Sequence, residues 1–91
     1  MRRGNDRPPG IFPVGMRVRV LDDSYFAAGH TGTIVDRPGT MRGDPWWRML
    51  TTGRGTFRFY WVAFDDPVPD DDEPGWYESG DVDERWLEPL R

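Results

Sequence analysis

The stretch VGMRVRVLDDSYFAAGHTGTIVD, Val14–Asp36, decides how the chain is read. Val14, Met16, Val18 and Val20 alternate with Gly15, Arg17 and Arg19. A period of two is the pattern of a strand with one buried face. Asp and Ser in DDSYFAAGH favour a turn or loop. TGTIVD then supplies a β-branched second strand, and Pro38-Gly39 ends it. Gly29 and Gly32 bracket the chain's single histidine, so GHTGTIV could read as a ligand loop. The simpler reading is a tight reversal between strands, because glycine supplies the positive φ that turns and bulges need. Gly32 is expected at a bulge that bends the sheet.

Working outward, WWRMLTT reads as a third strand and Gly53–Gly55 as a hairpin connection. TFRFYWVAFDD is a long aromatic strand. Phe57, Phe59, Trp61 and Ala63 share one face, and Arg58, Tyr60, Val62 and Phe64 share the other. With both faces largely apolar, this strand is expected to be central or bent between two layers. DDPVPDDDEPG is expected to be an acidic, proline-rich loop, since proline is excluded from interior strands. Ser79–Arg85 is expected to form a short helical turn capped by Ser79 or Asp81, and WLEPL a last short edge strand. The result is an all-β fold, a small five-stranded antiparallel barrel with a short helical turn before the last strand. Residues 1–12, rich in Arg, Gly and Pro, are expected to be a disordered or loosely docked arm, and residues 13–91 the barrel domain.

At 91 residues the chain has the length of one domain. A domain this small leans on large side chains for its core, and five Trp, five Phe and three Tyr supply them. No cysteine is present, which removes disulfides and thiolate metal sites. No apolar run approaches the roughly 20 residues of a membrane helix, and no signal segment is expected at the amino terminus. These features fit a cytoplasmic protein. All twelve basic residues are arginine, as a GC-rich bacterial genome would produce. Residues 1–58 carry ten Arg against five Asp, whereas residues 59–91 carry two Arg against eleven acidic residues. Such asymmetry marks either an interaction surface or two halves of one fold that attract each other.

Gly15, Val18, Val20, Gly29, Gly32, Ile34 and Val35 fill a G-x-x-V-x-V … G-x-x-G-x-V pattern. In this the chain resembles the KOW-type opening of SH3-like barrels, over about a quarter of its length. YWVAFDD and LEPL also look like closing strands of such barrels. The resemblance implies an SH3-like barrel. It also implies modules that contact RNA or serve as accessory subunits, since fold alone does not fix function.

Enzyme signatures are missing: there is no phosphate loop, no Cys nucleophile and no Ser-His-Asp spacing. His30 is read as a turn residue, no cofactor is expected, and no metal site is assigned. The six carboxylates from Asp65 to Glu73 lack the alternating spacing of a calcium loop. The expected function is therefore a non-catalytic binding module, an accessory subunit or a protein–protein interaction domain. Its partner-binding residues are taken as Tyr25, Phe26, Trp46, Trp47 and Arg48, with Asp70, Asp71, Asp72 and Glu73 as an acidic docking loop. The alternative is a KOW-like module that holds single-stranded nucleic acid on Arg17, Arg19, Arg54 and Arg58 beside the tryptophans. The pI near 4.8 weighs against it. Homo-oligomerisation is a third expectation, and a membrane partner is not expected.

Overall fold

The computed structural model describes residues 10–69 and 75–90. The order of elements is β1 (Arg17–Val20), β2 (Thr31–Val35), β3 (Trp47–Thr52), β4 (Gly55–Pro69), β5 (Trp76–Asp83), a 3-10 turn (Glu84–Trp86) and β6 (Leu87–Pro89). The fold is all-β and every strand pairing is antiparallel. The ladders run β3-β4-β2-β1-β6, with β5 pairing β4 off that path. The count is thus six strands instead of five, and among the described residues the ladders leave the sheet open.

β4 organises the molecule. Tyr60 faces both Trp47 of β3 and Val82 of β5, and Trp61 faces both Val35 of β2 and Asp81 of β5. A strand has two edges, so β2 and β3 must follow one another along one edge of β4 while β5 takes the other. The segment 36–46 is looped out between them. This is the central placement that the apolar character of both β4 faces implies. The face bearing Tyr60 and Val62 is the buried one. These two join Phe12, Val18, Val20, Ala27, Ile34, Val68, Val82 and Leu87 in the core.

Three expectations need correction. β4 runs on through Pro69 where a loop was expected. The ladder with β5 survives because its register shifts: Ala63 pairs Ser79 and Val68 pairs Tyr77, so on that edge residues 64–67 stand against Glu78 alone. Such a bulge leaves Pro67 with no ladder hydrogen bond to supply, and Val68 returns to the core at 4% exposure. The helical turn starts five residues late. Gly80 and Val82 point inward with period two, which keeps 79–83 in β5. Asp83 is the cap instead of Ser79 or Asp81, and its carboxylate accepts the Arg85 N–H at 2.9 Å. Finally, Phe12 belongs to the core and not to an arm. It is 1% exposed, its ring stacks on Tyr60 at 5.2 Å, and its N–H donates to the Tyr60 hydroxyl at 2.8 Å. Residues 1–9 of the expected arm lie outside the described residues.

The opening stretch resolves into two different uses of glycine. Gly29 has φ +81 and closes the reversal, donating to the Val20 carbonyl at 2.9 Å. Gly32 sits in β2 between Val18 and Phe64, not at a bulge. A methyl there would meet the Ala63 carbonyl and lie 2.7 Å from Val62 Cγ1, so only hydrogen allows β2 to approach β4.

Candidate functional site

Period two places Phe57, Phe59 and Trp61 together on the outer face of β4. Asp83 and Asp81 of β5 stand opposite Phe59 and Trp61 in register. Each ring is faced by a guanidinium: Arg85 lies 3.9 Å from the centroid of Phe57, Arg48 5.0 Å from that of Phe59 and Arg37 5.7 Å from that of Trp61. A cation over an aromatic face is attracted by the ring's quadrupole. The same guanidiniums engage the two carboxylates. Arg37 Nη2 donates to Asp81 Oδ1 at 2.7 Å, and Arg48 Nε donates to Asp81 Oδ2 at 3.1 Å. Arg85 Nη2 donates to Asp83 Oδ2 at 2.6 Å. Burial by itself pushes the Asp83 carboxyl up, but the side-chain and backbone hydrogen bonds of Arg85 outweigh it and hold it below its ordinary value.

Beside this ladder opens a cleft of about 280 Å³. Ser24, Tyr25 and Phe26 form one wall, from the loop that joins β1 to β2. Phe59, Asp81, Val82 and Asp83 of the sheet and Arg85 and Trp86 of the 3-10 turn complete the lining. The loop is tied at its neck, with Val20 N–H donating to His30 O at 2.8 Å and Ser24 N–H to Leu21 O at 3.1 Å. Compact loops with closed ends hold their shape with their own side chains. Phe26 is the anchor here. It meets Phe64 and Tyr77 edge-on at 5.6 and 5.4 Å. It also rests on Gly80, where an added methyl would lie 2.6 Å from its ring. Phe26 held in this way leaves the neighbouring Tyr25 fully exposed at the rim.

The residues expected to bind a partner are divided by the structure. Tyr25 and Phe26 line the cleft, and Arg48 reaches it through Phe59 and Asp81. Trp46 does not: its indole N–H donates to the Phe12 carbonyl at 2.8 Å and its ring packs against the core. Trp47 is half-buried and meets Trp46 edge-on at 4.9 Å. Asp70, Asp71, Asp72 and Glu73 lie outside the described residues. His30 sits near Phe64, ring centroids 6.2 Å apart. Among the described residues, no three His, Cys, Asp or Glu side chains are grouped to hold a metal ion, and no helix is long and apolar enough to cross a membrane.

The four arginines of the expected nucleic-acid face do not share one element: Arg17 and Arg19 lie on one face of β1, Arg58 is in β4 and Arg54 in the turn before it. Arg17 forms a two-pronged pair with Asp65 at 2.7 and 2.6 Å, and that contact, with Thr31, holds the Asp65 carboxyl far below its ordinary range. Arg19 pairs with Asp22 and Glu88, and Arg58 with Glu84 at 2.9 Å. Arg54 stands in the β3–β4 turn, away from these. Part of the charge asymmetry is met within the fold: among the described residues, arginines of the first 58 positions meet carboxylates of the remainder in pairs 17–65, 19–88, 37–81, 48–81 and 58–84.

Phe59, Asp81, Asp83, Arg85 and Trp86 were not singled out from sequence. The alternation of Phe57, Phe59 and Trp61 was visible, but Asp81 and Asp83 sit in a run that reads as turn. No family model, curated protein or solved structure matches the chain.

Proposed function

We propose that the chain is a non-catalytic binding module on an SH3-like scaffold, and that it holds a segment of a partner protein in the cleft between the β1–β2 loop and the 3-10 turn. The observation that carries this reading is a fully exposed Tyr25 at the rim of an aromatic cleft whose walls are fixed by hydrogen bonds and ion pairs. Aromatic side chains with arginine beside them are the residue types that dominate binding energy at protein interfaces. The cleft falls below the roughly 300–1,000 Å³ usual for small-molecule sites, which suits one inserted side chain. The SH3-like part of this reading rests on the resemblance of Gly15–Val35 to the opening of such barrels, and the antiparallel six-stranded sheet supports its all-β part. The nucleic-acid reading has less support, because Arg17, Arg19 and Arg58 are engaged with carboxylates.

Selection of a random peptide library against the full chain tests the reading. Clones should lose at least tenfold in affinity on a Tyr25→Ser variant, whose exposed ring contributes little to the fold. Clones that bind both proteins equally, or no clones at all, would overturn it.

A further inference from the structure

Taking the cleft as the binding site, the chemistry of the occupant can be read from the two outer ion pairs of this face, Arg48–Asp81 and Arg85–Asp83; in the third, Arg37–Asp81, the arginine is the more buried partner at 16% against 22%. The arginine side chains are the exposed partners, Arg48 at 49% and Arg85 at 57%, while Asp81 and Asp83 beneath them are at 22% and 9%. Both arginines commit Nε and Nη2 to a carboxylate. Nη1 of each has no partner among the described residues. On this face three guanidiniums, those of Arg37, Arg48 and Arg85, meet two carboxylates. The surplus is positive, although the chain carries −4 overall. The cleft lining itself holds Asp81 and Asp83 against Arg85, but both carboxylates are ion-paired, so the charged donors left to a guest here are arginine N–H groups. A cationic guest meets the opposite situation. The faces of Phe57, Phe59 and Trp61 already carry the protein's own guanidiniums, and both carboxylates are engaged.

We propose that the cleft takes an acidic peptide segment of a partner protein, seating one bulky apolar side chain between Tyr25, Phe59 and Trp86 and setting flanking carboxylates on Nη1 of Arg48 and Arg85. Arginine held from behind by a carboxylate is pre-organised, so less side-chain freedom is lost when a second anion arrives.

Three pentapeptides separate the possibilities: Ac-Glu-Glu-Trp-Glu-Glu-NH2, its Gln counterpart and its Lys counterpart, each titrated into isotope-labelled full chain at 0.15 M salt. The glutamate peptide should shift the Trp86 indole N–H and the Arg48 and Arg85 Nε–H resonances, with a Kd at least fivefold below that of the glutamine peptide. The double change Arg48→Gln, Arg85→Gln should erase that difference, and Arg54→Gln should leave it intact. The ranking in the unaltered protein stands by itself should the double variant fold poorly. If the lysine or glutamine peptide binds the cleft as tightly, the acidic assignment fails and the binding cleft survives. If none shifts cleft resonances, both fail. A hexauridine RNA that shifts the same resonances more strongly than the glutamate peptide would also overturn the assignment.

Discussion

Tyr60→Phe removes one oxygen at the point where three parts of the fold meet. The Tyr60 hydroxyl accepts the buried Phe12 N–H at 2.8 Å and donates to Glu84 Oε2 at 2.6 Å. Glu84 opens the 3-10 turn that carries Arg85 and Trp86 to the cleft, and it keeps its contact with Arg58 at 2.9 Å. Without the hydroxyl, the Phe12 N–H loses this acceptor, at about 1–3 kcal/mol, and a hydrogen bond to a charged group worth about 1.5–3 kcal/mol also goes. The phenyl ring keeps the stack on Phe12 and the two losses are not additive, so a net cost of about 2–4 kcal/mol is expected. For a domain of this size that corresponds to a fall in Tm of roughly 8–30 °C. Thermal unfolding followed by circular dichroism, with urea titration for the free energy, reads it directly. Burial above all, then the contact with Glu84, raises the pKa of Tyr60 above its ordinary value. The unfolded chain therefore ionises first, and the wild type should lose stability as pH climbs past about 10 in a way that the Phe variant does not. A loss below about 0.5 kcal/mol at neutral pH would refute the role given to this hydroxyl.

Other consequences follow from the close approaches and the carboxylates. Gly32→Ala should cost at least about 1–3 kcal/mol, as overpacking does, because the Ala63 carbonyl and Val62 Cγ1 block the new methyl; urea unfolding of a protein as stable as wild type would contradict this. Gly80→Ala should displace the Phe26 ring, shifting its resonances and weakening cleft binding, with a stability cost of about 1–3 kcal/mol; unchanged Phe26 resonances would speak against the anchor. Asp65 and Asp83 both have folded-state pKa values held below their unfolded value of about 3.9. Their contribution is present above that value and is lost as pH falls through the lower folded one. Stability should therefore decline below about pH 4, and Asp65→Asn should narrow the gap between neutral and acid Tm; an identical gap in the variant would count against the Arg17–Asp65 pair.

Much of this architecture was legible in the chain. Alternation found β1 and β2 because each buries one face, although the expected first strand began at Val14, which lies exposed in a turn before β1. The aromatic strand was legible as central for the same reason. What escaped was set by tertiary pairing. Asp65–Pro69 carries every local sign of a loop, yet a register shift against β5 accommodates both prolines and returns Val68 to the core. Ser79–Asp83 reads as turn-forming because its inward residue is Gly80, whose role is to leave space for Phe26. A glycine chosen for what packs against it gives no hydrophobic signal. Of the proposed cleft, Tyr25, Phe26 and Arg48 stand out in the sequence as aromatic and basic residues beyond what a small core needs. Asp81, Asp83 and Arg85 were not, since their meaning comes from standing opposite Phe59 and Trp61 across a ladder that sequence spacing does not reveal. Trp46 has a structural use that its sequence position does not reveal, since its indole N–H holds the Phe12 carbonyl.

Where a bound peptide sits decides between the cleft and every other face of the protein. Intermolecular nuclear Overhauser contacts between a library-selected peptide and the labelled full chain measure that. The expected contacts run from one bulky side chain of the peptide to the rings of Tyr25, Phe59 and Trp86. Contacts confined to Trp47 or to Trp76 and Tyr77, with none in the cleft, would contradict the assignment.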